Sequence, residues 1–203
     1  MKKRKIMICM LLAAVLCSVL AMNVTAATHT VIKGDTMWRI AVRYEVGISE
    51  IKEANSHISD PNLIYPGQVL NIPEREGEAL AFEQEVIRLV NEIRASNGLK
   101  TLTYDWELAR VAEYKSRDMR DRGYFSHTSP TYGSPFQMMK SFGISYRSAG
   151  ENIAMGYKTP EAVVNAWMNS PGHKANILNS SFTHIGIGYV KDGNYWTQMF
   201  VGR

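Results

Sequence analysis

Ile185-Gly186-Ile187-Gly188-Tyr189-Val190, then Asp192-Gly193, then Tyr195-Trp196-Thr197-Gln198-Met199-Phe200-Val201: two apolar runs around a turn dipeptide read as an antiparallel hairpin closing a 203-residue chain. Helices precede it. Val86, Leu89, Val90 and Ile93 share one helical face, and Asn97-Gly98 stops that helix. Asp105 caps a second helix with Leu108, Val111, Ala112 and Met119 inward. Ser134-Pro135 opens a short helix through Phe136, Met139 and Phe142. Thr159-Pro160-Glu161 opens another that buries Val163, Val164 and Trp167, since proline suits a first helical turn whose amides are unpaired anyway. Helices around a small antiparallel sheet predict an α+β fold, an α-β-α sandwich over residues 82–203.

Toward the N-terminus, residues 27–74 read as a separate βααβ unit. His29-Thr30-Val31-Ile32 forms a strand broken at Gly34, and Met37, Ile40, Ala41 and Tyr44 recur at helical spacing behind a capping Asp35-Thr36. A second helix runs from Ser49 to Ala54, with Ile51 and Ala54 inward and Asn55 as its stop. Asp60-Pro61-Asn62 makes a loop, and Gln68-Val69-Leu70-Asn71-Ile72 a strand ended by Pro73. Val31 to Ala41, Tyr44, Asn55 and Pro66 to Pro73 closely resemble the LysM family. That resemblance implies binding of N-acetylglucosamine glycans such as peptidoglycan or chitin, in a groove with Gly34, Asp35, Thr36 and Met37 on one side and Asn62, Leu63, Ile64 and Tyr65 on the other. Gly34 and Asp35 also read as builders of a strand-to-helix turn. Residues 75–81, charged and without apolar period, read as a short linker.

The first 26 residues carry an export signal: Lys2, Lys3, Arg4 and Lys5, an apolar run from Ile6 to Met22, then Val24-Thr25-Ala26, which places cleavage before Ala27. The run is near the length of a short membrane span, so a retained anchor competes; the Val-x-Ala site favours cleavage and no stable transmembrane anchor. A lipoprotein signal fails because Leu16 precedes Cys17. The chain has 23 Lys+Arg against 19 Asp+Glu, and the whole excess lies in this segment, so the mature chain is neutral. Without a basic tract, an electrostatic nucleic-acid binder is excluded. Both cysteines, Cys9 and Cys17, also leave with the signal, and the mature protein holds together by its cores.

Three segments concentrate polar functional groups: Tyr124 to Pro130, Ala149 to Ala154, and Trp167 to Leu178. Each is expected in a loop or at a helix boundary. With Leu89 to Arg94 and Tyr195 to Phe200, they resemble the bacterial branch of the CAP superfamily of cysteine-rich secretory proteins, insect antigen 5 and plant pathogenesis-related proteins. That resemblance implies a cleft of two histidines and two glutamates, in some members around a divalent metal. By motif, His127, Glu151 and His173 take three of those places, as candidate catalytic residues and as ligands of Zn²⁺. The fourth departs: Asn169 and Ser170 follow Trp167 where animal members carry a glutamate.

Two imidazoles and a carboxylate with an open position suit a catalytic zinc. Read without the family, histidines so widely separated give no metal spacing, and His127 and Glu151 equally read as a pair pinning two loops. His184 reads as a surface residue, His29 and His57 lie outside this unit, and no Gly-x-Ser-x-Gly elbow supports Ser126, Ser129 or Ser170 as a nucleophile. The leading expectation is a secreted cell-wall protein held on glycan, whose CAP cleft takes a lipid ligand or an envelope-protein partner. A metal-dependent hydrolase of peptidoglycan or protein, and an assembly or regulatory protein of the envelope or spore surface, are the alternatives.

Overall fold

The computed structural model describes residues 27–60, 62–74 and 77–203, so the expected export signal and Pro61 lie outside the described residues. In the N-terminal unit, β1 (Ala27–Thr30) pairs antiparallel with β2 (Val69–Ile72), and α1 (Met37–Tyr44) and α2 (Ile48–Ala54) lie between them in the chain. The first strand was expected through Ile32. It stops at Thr30, although Val31 continues the pairing by donating to the Gln68 carbonyl at 2.8 Å. Thr36 caps α1, its hydroxyl accepting from the Arg39 amide at 3.1 Å. Asp35 does other work, accepting from the Ile32 amide at 3.0 Å and the His29 ring at 2.7 Å.

Met37, Ile40, Ala41, Val46, Ile51, Ile58, Leu70 and Ile72 form the small core. Ala54, expected inward, is exposed. The inward role at that end of α2 falls to Asn55, fully buried, which donates to Ile51 O at 2.6 Å and Asn71 O at 2.7 Å and accepts from Asn71 N at 2.8 Å. A buried amide with all these bonds made joins α2 to β2.

The larger unit runs α3 (Gly77–Ser96), β3 (Thr103–Tyr104), α4 (Trp106–Arg122), α5 (Pro135–Ser141), β4 (Ser148–Met155), α6 (Pro160–Met168), α7 (Pro171–Ile177), β5 (His184–Val190) and β6 (Tyr195–Gly202). Residues 77–81, expected as linker, form the first turns of α3. The sheet order is β3-β5-β6-β4, antiparallel except for the short β3–β5 pair. The hairpin loop is Lys191 to Asn194, with the Asn194 amide donating to Lys191 O at 3.0 Å and Gly193 and Asn194 in the left-handed region.

The alternation in β5 explains the layers. Ile185, Ile187 and Tyr189 face α3, α6 and α7, packing with Val86, Val90, Trp167, Ile177, Trp196 and Phe200. Gly186 and Gly188 face α4 instead. A Cβ at 186 would stand 2.3 Å from the Ala109 amide, and one at 188 would stand 2.1 Å from that of Glu113. The glycines therefore let the α4 backbone lie directly on the strand. On this side Leu108, Val111, Ala112, Met138, Met139, Met199 and Val201 make the second core. The result is the α+β sandwich expected from the hairpin and its preceding helices.

Candidate functional site

The site grows from α4. Its inward stripe of Leu108, Val111, Ala112 and Met119 continues through Lys115 and Asp118, which are buried as well. A buried ammonium must have its protons met. Lys115 Nζ donates to Ser126 O at 2.7 Å, His127 O at 3.1 Å and the Tyr124 hydroxyl at 3.0 Å. Burial pulls its pKa down, against the pull of the Glu151 and Asp118 carboxylates. Asp118 in turn accepts from Tyr124 OH at 2.5 Å, Ser129 Oγ at 2.7 Å and Thr131 Oγ1 at 2.6 Å. Burial works to raise Asp118, but these hydroxyls and the Arg122 guanidinium hold it below the usual carboxylate range. The loop carrying His127 is thus moored to one helix by a lysine and an aspartate.

Glu151 enters from β4. The Ala149 to Ala154 segment, expected in a loop or at a helix boundary, is a strand paired to β6 along its whole length, with Glu151 opposite Met199. The Glu151 side chain is 1 % exposed and its Oε1 lies 2.7 Å from Nδ1 of His127, whose ring is 52 % exposed. Its other oxygen, Oε2, is buried without a hydrogen-bond partner. Burial pushes the Glu151 pKa up, opposed by the hydrogen bond from His127 and the charge of Lys115.

The neighbouring Asn152 reaches the other side of the sheet. It donates to His173 O at 3.1 Å and Gln198 Oε1 at 2.9 Å, while Asn176 donates to Glu151 O at 3.1 Å and Asn152 Oδ1 at 2.8 Å. This amide cluster ties α7, and with it His173, to β4. Gly150 is what permits so close an approach, because a Cβ there would meet the Phe182 ring at 2.9 Å and Asn176 Oδ1 at 3.1 Å. His173 is half-buried; its pKa is lowered by burial and by repulsion from His127.

His127 and Glu151 are therefore in direct contact, and His173 stands near enough to feel the charge of His127. Among the described residues, no three histidine, cysteine or carboxylate side chains converge as a metal-holding group. The Glu151 carboxylate is engaged with Nδ1 of His127, so it orients that ring and leaves Nε2 as its second nitrogen. The pair can share one proton. With Nδ1–H donating to the carboxylate, Nε2 accepts from a ligand; with the carboxyl protonated, Nε2–H donates. Trp167 is buried and donates to Ile153 O at 3.3 Å, whereas Asn169 caps α6. Ser129 spends its hydroxyl on Asp118, and Ser126 Oγ accepts from the Thr128 amide at 3.2 Å. His184, expected on the surface, is the first residue of β5, half-buried, with Nδ1 2.8 Å from Thr183 Oγ1.

Lys115 and Asp118 escaped the sequence reading although the apolar period of α4 runs through both positions. A charged residue on an inward stripe was the available signal.

In the small unit, Leu63 and Tyr65 are exposed beside a cavity of about 470 Å³ that His57, Ser59, Asp60 and Gln68 also line. Ile64 packs against the core. Asn62 folds back on Asp60, its amide 2.8 Å from Oδ1. Gly34, Asp35, Thr36 and Met37 do not line this cavity. Met37 is buried, Asp35 is tied to His29, Thr36 caps α1, and Gly34 has φ 94° with its carbonyl accepting from Arg39 Nη1 at 2.7 Å. His57 and Gln68 were not anticipated.

Residues 87–202 match the family described as CAP, cysteine-rich secretory protein family, and residues 29–73 match the LysM domain. The chain is 62% identical over 123 residues to the uncharacterized protein YkwD of Bacillus subtilis, across 61% of this chain and 48% of that protein. Its fold is similar to a crystal structure of an extracellular protein containing a SCP domain from Bacillus anthracis, with TM-score 0.60 and 33% identity, covering 68% of this chain and 47% of that one. The N-terminal unit is 43% identical over 47 residues to the N-acetylmuramoyl-L-alanine amidase sle1 of Staphylococcus epidermidis, across 23% of this chain and 14% of the amidase. The chain thus spans about half the length of these two relatives that share its larger domain.

Proposed function

The chain belongs to the cysteine-rich secretory protein family, and from that premise we propose a secreted, wall-associated binding protein whose LysM domain holds peptidoglycan while its CAP domain presents a His/Glu cleft to a ligand or partner. The observation that carries this reading is the open rim of the LysM domain, where Leu63 and Tyr65 are 56% and 64% exposed beside Asp60 and Gln68. Apolar side chains that cover a sugar face, next to amide and carboxylate groups that bond its acetamido and hydroxyl groups, suit an N-acetylglucosamine chain. The similarity to an N-acetylmuramoyl-L-alanine amidase supports the same ligand class. No helix among the described residues is long and apolar enough to cross a membrane.

The His127–Glu151 pair and His173 are each held in place. His127 is oriented by a buried carboxylate, its loop is moored by Lys115 and Asp118, and His173 is fixed by the Asn152–Asn176 cluster. Such preorganisation favours recognition of a polar group at Nε2 of His127, on an envelope protein or a lipid headgroup. The test is incubation of purified mature protein with peptidoglycan, with and without added zinc or a chelator, followed by analysis of soluble products. Binding without released fragments in every condition is the expected result. Zinc-dependent release that is lost in His127→Ala and His173→Ala would replace this reading with that of a metal-dependent hydrolase.

A further inference from the structure

Gly47 sits just before α2 with φ −79° and ψ 151°, a conformation open to any residue. Nothing in its own backbone asks for glycine. A Cβ there would fall 1.7 Å from Nη2 of Arg110, the far end of a flexible side chain on α4 of the other domain, so a side chain at 47 would displace the guanidinium rather than the backbone. Arg110 is stationed on α4 between two aromatic rings one turn away on either side. Its guanidinium carbon lies 6.0 Å from the Trp106 ring centre and 5.7 Å from that of Tyr114. Such stacking suits arginine and leaves its fork free for a carboxylate.

That carboxylate is Glu50, with Oε2 at 3.2 Å from Arg110 Nε and both side chains largely covered, 20% and 15% exposed. Glu50 also accepts from the Gly47 amide at the start of α2, and Ser49 Oγ lies 3.4 Å from the Tyr114 hydroxyl. Burial raises the Glu50 pKa, but the Arg110 charge and the Gly47 amide outweigh it and keep the group ionised below the usual range. A single exposed ion pair would contribute little. Here a stacked cation, a capping carboxylate, a hydroxyl pair and a glycine at the point of approach coincide.

We infer that the Trp106–Arg110–Tyr114 ladder of the CAP domain is a docking surface for the chain's own LysM domain, which seats the Gly47–Glu50 turn on it, so that the mature protein works as one docked unit. The seat leaves the glycan rim open. The cavity of about 880 Å³ beside the contact is lined from the LysM side by residues such as Glu45, Glu53 and Pro73, and it shares none with the cavity at Leu63 and Tyr65. Glycan and cleft are thereby presented together, in fixed relation, rather than at the two ends of a slack tether. The tether is short: Pro73 and Glu74 follow β2, and α3 begins at Gly77.

The test is ¹⁵N relaxation on the full mature chain. Amides of both domains should report one common rotational correlation time. In Arg110→Glu, and separately in Gly47→Gln, which changes only the LysM side, the two domains should report separate, shorter times while both keep dispersed spectra. Arg88→Glu, a charge change on exposed α3 surface, should behave as wild type. Separate times already in wild type, or one common time surviving both variants, would overturn the inference. So would a correlation time that rises with protein concentration in wild type but not in Arg110→Glu, since it would put a second copy on the ladder. Co-sedimentation with peptidoglycan is read in parallel and should be the same for Arg110→Glu as for wild type. Failure of glycan binding with docking intact would count against the function proposed above and leave this inference standing.

Discussion

A lysine with no exposed surface loses the hydration of its ammonium and must regain it from the protein. Lys115 does so with two loop carbonyls and a phenol, and the loop it holds is the one that carries His127. His127, Glu151 and His173 were named together only through the family resemblance, and of the three the structure places His127 and Glu151 in direct contact. Their supports were not legible, since a charged residue inside an apolar period reads by default as solvated surface. His173 allows a prediction at this scale. Burial and the repulsion of His127 lower its folded pKa below the ordinary histidine value of about 6.5. The unfolded chain then binds more protons in the window between the lowered value and the ordinary one, so this group's contribution to stability is full above that window and is lost as pH falls through it. Glu151, raised by burial, acts in the opposite sense: its folded form favours the proton, and its contribution falls as pH rises above the ordinary carboxylate value. The two are separated by comparing variants. The stability difference between wild type and His173→Gln, from urea unfolding at a series of pH values, should grow in favour of wild type as pH rises toward 6.5 and then level off. A difference that does not change across that range would contradict the electrostatic description of the cleft.

Helices showed themselves in the sequence through period and caps: Asp105, Ser134 and Thr159 all accept the amide bonds their positions promised. Strand β4 did not, because it inverts the usual signal. Glu151 and Asn152 are buried on opposite faces of the sheet, so no apolar alternation marks the segment. Tertiary partners, the Lys115 charge on one side and the Asn176–Gln198 amides on the other, make a strand of it. Its neighbour β5 was legible, yet the reason for its glycines appears only in the packing. Gly188→Ala must move the α4 backbone off the strand, since its Cβ meets the Glu113 amide at 2.1 Å and the Ala112 carbonyl carbon at 2.3 Å. Overpacking of this kind costs about 1–3 kcal/mol or more. Gly172→Ala, in α7 with nothing within 4 Å of the new Cβ, should instead raise stability by about 0.4–1 kcal/mol. Thermal unfolding of the two variants should move in opposite directions. Equal shifts would mean that close helix–strand approach is not what fixes these glycines.

On the scale of the molecule, the chain joins two domains of different chemistry. One is a small βααβ unit with an apolar rim, and the other a sandwich that points a histidine outward from a buried carboxylate. The rim was legible only in part. Leu63 and Tyr65 are exposed, while Asp35, Thr36 and Met37 are occupied in building the turn, the cap and the core. Substituting Asp35 would therefore act through the fold, and under the proposed function Leu63 and Tyr65 are the side chains whose loss should weaken glycan binding directly. Two apolar contacts on a sugar face together amount to about tenfold in affinity when each contributes under 1 kcal/mol. The decisive measurement is co-sedimentation of residues 27–203 with insoluble peptidoglycan over a range of protein concentrations. Wild type and His127→Ala should pellet alike, and Leu63→Ala/Tyr65→Ala should bind about tenfold more weakly; a wild-type chain that stays in the supernatant, or a double variant that pellets as wild type does, would contradict the account.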